Sequence, residues 1–233
     1  GDWSSDVCSS DLTRRQRQVG KMAVLGCGYA MGAERFREQC AQAGILIDEE
    51  QACFIVKSYR KSNPCITGLW KMMEAAAIKT VQSRIPRTCV DGRISFEMKD
   101  QVLRMILPSG RAIHYHKPKI ISVETPWNEL APALIYHGIN TVTRKWTEQR
   151  TYGGKLVENA VQAIARDILA EAQMRMESEG WNIILSVHDE LIAECDEKFA
   201  DLEEFTKLMA VVPEWASGCP IEAEGWISKR YKK

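Results

Sequence analysis

The chain has 233 residues, with 31 Lys and Arg, 31 Asp and Glu and four His, and a formal net charge of zero; 45% of its residues are apolar and 27% are charged. This excludes a disordered, collagenous or coiled-coil chain, and no apolar run approaches the roughly 20 residues that span a bilayer. No basic segment followed by an apolar one marks a secretory signal, and the eight cysteines form no C-x-x-C pair, so they read as buried or free thiols in a reducing compartment.

The first twelve residues, GDWSSDVCSSDL, hold three Asp and no Lys or Arg. They have neither the strand nor the helix period, and read as a disordered acidic tail or as an artefact. Asp2 to Leu12 resembles the in-frame translation of a common short-read sequencing adapter, so residues 1–12 are set apart from the fold. On that reading Thr13 lies inside a longer natural chain. The remainder then carries 31 cations against 28 anions, a net of +3.

Residues 14–43 read as one helix with glycines in it. Residues 49–62 read as a second helix, stopped by Pro64. Residues 66–83 place Leu69, Met72, Met73, Ala76 and Val81 near one face of a third. QVLRMIL-PSG-RAIHYH, within 94–125, alternates around a Pro-Ser-Gly turn and predicts a β-hairpin. Residues 126–150 are mixed and give no clear period. From 155 to 178 a long amphipathic helix is signalled by Val157, Val161, Ile164, Ile168 and Ala172, and Gly180 ends it. WNIILSV-HD-ELIAEC predicts a second hairpin turning at His188-Asp189. A helix at 196–210 follows. Helices and hairpins without βαβ alternation predict an α+β fold.

Three clusters carry candidate chemistry. In Arg17-x3-Lys21-x3-Leu25-x3-Tyr29, each step of four residues drifts about 40° on a helix, so all four keep to one face. Arg17 and Lys21 suit adjacent phosphates of a triphosphate, while Leu25 and Tyr29 suit a base. The bland reading is a solvated basic turn followed by core residues. The second cluster, Arg150-Thr151-Tyr152-Gly153-Gly154-Lys155 leading to Glu158, is a glycine-loosened helix start that can offer N–H groups and Arg150 to phosphate. It reads equally as a loop with Glu158 near the positive helix end. In the third, His188-Asp189-Glu190, two adjacent carboxylates in a tight turn give a hard-oxygen site for Mg²⁺, or simply a polar turn. A competing pattern, Gly26-x-Gly28-x3-Gly32 with Asp48 further on, resembles a dinucleotide-binding turn. Its spacing is off, and no alternating strand–helix units follow it.

The three clusters, in this order, resemble the C-terminal part of an A-family DNA polymerase of the phage or prophage type. Arg17, Lys21 and Tyr29 resemble motif B of its fingers helix, TYGGKLVEN the helix start that follows, and VHDE motif C of its palm. GCPIEAEGW…KRYKK is similar to its closing segment, so the resemblance covers residues 13–233. It implies fingers over 13–147 and the C-terminal part of a palm over 148–233. Arg17 and Lys21 would hold the triphosphate of an incoming dNTP, with Lys21 also near the leaving pyrophosphate. Leu25 stands where many relatives carry Phe or Tyr, and Tyr29 would stack near the templating position. Ala30 stands where Gly is usual, which implies a stiffer hinge. Asp189 would be a ligand of two catalytic Mg²⁺ ions, with Glu190 beside it and His188 near the primer end. Arg150 and Glu158 would lie along primer–template DNA. The family's upstream motif A, with its own metal-binding Asp, has no counterpart after residue 13. The chain by itself is therefore expected to be inactive, and to need the missing N-terminal part of the same polymerase. Two alternatives remain: a non-catalytic nucleic-acid-binding module, and a nicotinamide-dependent oxidoreductase built on Gly26, Gly28 and Gly32.

Overall fold

A computed structural model describes residues 12–124 and 128–231. The adapter-like stretch therefore falls outside the described residues except for Leu12. Among the described residues helices and antiparallel strands occur without parallel βαβ units, so the fold is α+β as the sequence predicts.

The chain opens with α1 (Arg14–Cys27), α2 (Ala33–Gln42) and α3 (Glu49–Ser62). The single helix expected over 14–43 is thus two, separated by the turn 28–32. α1 runs straight through Gly26, and among the described residues no strand precedes it. This removes the dinucleotide-binding reading, which needs a strand-to-helix turn there. Asp48 is instead the cap of α3, its side chain accepting from the Gln51 N–H at 2.7 Å. Phe36, Cys40, Ala52 and Val56 meet Ala23 and Cys27 in one buried cluster.

Pro64, expected only to stop α3, also starts α4 (Pro64–Ser83) at its first position. An N–H is not needed there, so proline costs nothing. The buried face of α4 holds Trp70, Met73, Ala76, Ala77 and Thr80, while Met72 is exposed. This differs from the predicted face, because Trp70 sets the inward direction.

The hairpin expected over 94–125 is part of a larger sheet. Strands β1 (Arg87–Cys89), β2 (Ile94–Lys99), β3 (Val102–Ile106), β4 (Ala112–Glu124), β5 (Leu130–Ile139) and β6 (Trp146–Thr151) lie in sequence order in one six-stranded sheet. Ile94 and Phe96, then Leu103 and Met105, are buried at the period of 2 that a strand imposes. β5 carries Pro132, opposite Ser122 of β4. β6 pairs only from Leu134 onward, so Pro132 sits where β5 has a neighbour on one side.

α5 (Gly153–Ser178) is followed by the hairpin β7 (Ile183–Val187) and β8 (Glu190–Ala193). Gly180 ends α5 with φ +91°, and the Trp181 N–H bonds to the Met176 carbonyl at 3.0 Å. The buried positions of α5 include Leu156, Val157, Leu169, Ala172 and Met176, while Val161 is exposed. The helix expected over 196–210 shortens to a 3-10 turn (Glu197–Phe199) and α6 (Leu202–Met209). Asp201 interrupts it by capping α6, accepting from the Glu204 N–H at 2.9 Å.

The chain forms two compact units: residues up to Met105 with His114–Glu158, and Ile106–Ile113 with Asn159 onward. In the second unit Leu169, Ala172, Met176 and Leu191 form the core, with Trp181 edge-on to Phe205 at 4.9 Å. Arg111 and Ser109 both donate to Asp167 there. Among the described residues no helix is long and apolar enough to cross a membrane.

Candidate nucleotide and nucleic-acid site

The first cluster begins at a capping box. The Gln16 N–H donates to Thr13 Oγ1 at 3.2 Å, and the Thr13 N–H donates to Gln16 Oε1 at 2.8 Å. From there α1 turns Val19, Met22, Ala23, Gly26 and Cys27 inward. Arg17, Lys21 and Leu25 fall on the opposite, exposed side. Leu25 is 61% exposed, so the core does not continue through it as the bland reading requires.

Tyr29 leaves the helical face. α1 closes at Cys27, and the N–H groups of Tyr29 and Ala30 bond to the carbonyls of Gly26 and Cys27, each at 3.1 Å. Ala30 then adopts φ +66°. The expectation that four residues share one helix face is therefore corrected to three, with Tyr29 in the turn beyond. Burial first, then the neighbouring Cys27 and Tyr29, hold the Tyr59 phenol above its usual range.

In the second cluster Arg150 is exposed on β6, opposite Ile135. Thr151 is buried, and the Leu156 N–H bonds to the Tyr152 carbonyl at 3.0 Å, closing the first turn of α5. Gly153 and Gly154 do not loosen this start. Both are buried, and a Cβ at Gly153 would fall on the Trp70 carbonyl. A Cβ at Gly154 would fall on the Tyr29 carbonyl. Trp70 Nε1 donates to the Gly28 carbonyl at 2.9 Å, tying α4 to the same turn. The two glycines thus bring α5, α4 and the Tyr29 turn into backbone contact. Sequence reasoning missed Trp70, whose only signal was its place in an apolar helix. Glu158 is half-buried, and its charge adds to burial in raising the Tyr152 pKa.

The third cluster belongs to the second unit. Val187 pairs with Glu190, leaving His188 and Asp189 as an exposed two-residue turn, with His188 at φ +53°. Glu190 is half-buried, and its Oε2 accepts from the Tyr231 hydroxyl at 2.8 Å. That hydrogen bond is the main cause raising the Tyr231 pKa. Tyr231 had no signal in the sequence beyond the closing segment. Carboxylate oxygens are the hard donors that Mg²⁺ takes. Among the described residues, however, no group of three or more His, Cys, Asp or Glu side chains is placed to hold a metal ion. Asp189 and Glu190 supply two adjacent carboxylate residues at this turn.

Comparison with known proteins gives first a class: the chain is similar to a phage DNA polymerase. The relative is the DNA polymerase of Bacillus phage SP02, 37% identical over 217 residues, a match covering 93% of this chain and 33% of that polymerase. The chain thus spans about a third of the length of the relative it matches, and is the counterpart of that third. No family model matches the chain, and no solved structure matches it.

Proposed function

We propose that the chain is the C-terminal part of an A-family DNA polymerase of phage or prophage type, serving template-directed transfer of nucleotides from dNTP to a primer 3′-hydroxyl. The identity to a phage DNA polymerase across 93% of the chain carries this reading. The shared exposed face of Arg17, Lys21 and Leu25 supports it, since a nucleotide can reach all three. Arg17 and Lys21 bind the triphosphate and offset its developing charge during phosphoryl transfer. Leu25 and Tyr29 border the base. Arg150 and Glu158 lie along the primer–template DNA, and His188 stands near the primer end. Asp189, with Glu190 beside it, holds Mg²⁺, which when bound lowers the pKa of the primer hydroxyl and steadies the leaving pyrophosphate. The remaining metal ligands come from residues outside this chain, so the chain alone does not extend primers. The complete enzyme works in the cytoplasm of a bacterial or phage-infected host cell.

The test replaces the matched third of the phage SP02 polymerase with residues 13–233. The expected outcome is Mg²⁺-dependent primer extension by the chimaera and none by the isolated chain. Asp189→Ala in the chimaera is expected to abolish extension while sparing DNA binding. Lys21→Ala is expected to lower incorporation more than DNA affinity. A folded chimaera that binds DNA but never extends it would sink the polymerase reading in favour of a binding module. Incorporation by the isolated chain would refute the missing ligands.

A further inference from the structure

We propose that a cleft bounded by α3, α4 and the β6–α5 junction holds one unpaired nucleotide of a single-stranded polynucleotide, its phosphates on Arg60, Lys61 and Lys71 and its base on Tyr152. The inference rests on the chain being part of a DNA polymerase, and it names a contact for the unpaired strand apart from the α1 face. The cleft has a volume of ≈ 520 Å³ and is open to solvent. That is room for one nucleotide and not for a duplex.

Its charge is what a phosphodiester needs. Three cations and a single anion, Glu74, line it. Arg60 and Lys61 lie in the last turn of α3, where basic residues also complement the helix dipole. Lys71 has no such reason to be there, since it sits well inside the twenty residues of α4. Among the described residues Lys61 and Lys71 enter no ion pair. Arg60 Nη2 donates to the Met31 carbonyl at 3.3 Å, which steadies the guanidinium at the rim. Glu74 argues against a triphosphate, whose dense charge it would repel, and tolerates a diester with one charge per phosphate.

The apolar part is built for a flat ring. Trp70 forms a rigid floor, 8% exposed and tied through Nε1 to the Gly28 carbonyl. Tyr152 is 43% exposed at the edge, a ring free to stack. Stacking on an exposed aromatic beside a basic track is how proteins hold single strands without reading their sequence. Burial and Glu158 keep the Tyr152 phenol neutral at ordinary pH, so it adds no repelling charge. The Gly153 and Gly154 backbone completes the wall.

The experiment measures binding of a short fluorescein-labelled oligo-dT to the purified chain by anisotropy, across a salt titration. Lys61→Ala with Lys71→Ala is expected to weaken binding about tenfold and to lower the salt slope by about 1.4, at ~0.7 per phosphate contact. Tyr152→Phe is expected to bind like the parent and Tyr152→Ala several-fold more weakly. These side chains are exposed, and circular dichroism melting checks that each variant folds like the parent. The same loss is expected in an Arg17→Ala, Lys21→Ala background, and excess dTTP is expected to leave the cleft-dependent binding in place. Unchanged affinity and slope in the lysine double variant, or displacement of the oligonucleotide by dTTP, would overturn the cleft. The polymerase reading is scored separately by extension in the chimaera. Extension with cleft-independent binding sinks this proposal alone, and cleft-dependent binding without extension sinks the polymerase reading alone.

Discussion

At Gly153 and Gly154 the absence of a side chain is a packing requirement. Both sites meet backbone atoms, which cannot rotate away as a flexible side chain would. Gly153→Ala is expected to cost about 3 kcal/mol, the upper end for overpacking, in urea unfolding of the purified chain. Gly20 is the contrast: it is exposed in α1, and a methyl added there would meet nothing within 4 Å, so Gly20→Ala is expected to add about 0.5–1 kcal/mol. A shared loss in both variants would refute the packing argument. Ala30 is the reverse case, a side chain where none is wanted. At φ +66° it sits in the left-handed region, at a cost of about 1–2 kcal/mol for a residue with a Cβ. Ala30→Gly relieves this, less about 0.4–1 kcal/mol for the added freedom of the unfolded chain. The expected net is a gain of about 0.5 kcal/mol, read as a higher urea midpoint. The turn after α1 is thus held in a conformation that its own residue resists.

At the scale of elements, α1, α2 and α3 close around buried thiols. Burial raises the pKa of Cys27, although Arg60 pulls it back down and Cys40 adds to the rise; burial alone raises Cys40. An unfolded thiol ionises near 9.0, and the folded ones ionise later. Their contribution to stability is therefore complete below the unfolded value and is lost as pH rises through the folded one. Unfolding free energy is expected to hold level from about pH 7 to 8 and to decline above about pH 9. Cys40→Ala is expected to flatten that decline, and an unchanged slope would rule the thiol out as its source. The elements with strong local signals were legible in the sequence: α3, α4 and α5 by period, and the β3–β4 and β7–β8 hairpins by their turns. The break after Cys27 was not, because apolar period continues across it and the stop comes from Ala30's backbone and the Gly28–Trp70 contact. β5 and β6 were hidden by Pro132 and by a turn built on Asn140, whose Oδ1 accepts from the N–H groups of Val142 and Thr143. Of the candidate site, the exposed face of Arg17, Lys21 and Leu25 followed from spacing. Tyr231 on Glu190 and Trp70 under Gly153 did not, since those contacts join residues 41 apart or more in sequence.

For the whole molecule, charge placement outweighs net charge. Neutrality of the full sequence conceals a basic start to α1 and an acidic run from Asp196 to Glu204 around the α6 cap. The three aspartates before Leu12 help to set that neutral balance, yet the cap of α1 is made by Thr13 and Gln16 themselves. Removing residues 1–11 leaves both capping bonds in place, so the unfolding free energy is expected to stay within about 0.5 kcal/mol, as for surface changes. The charge effect is separate. Without three anions shortly before Arg14, Arg15, Arg17 and Lys21 in the sequence, affinity for single-stranded DNA at low salt is expected to rise a few-fold. Salt shortens the reach of such charges to about 3 Å at 1 M, so the shortened and full chains should converge as salt is raised. Loss of stability on removal would show that the first eleven residues belong to the fold. Unchanged DNA affinity at low salt would show that the basic start of α1 does not meet the strand.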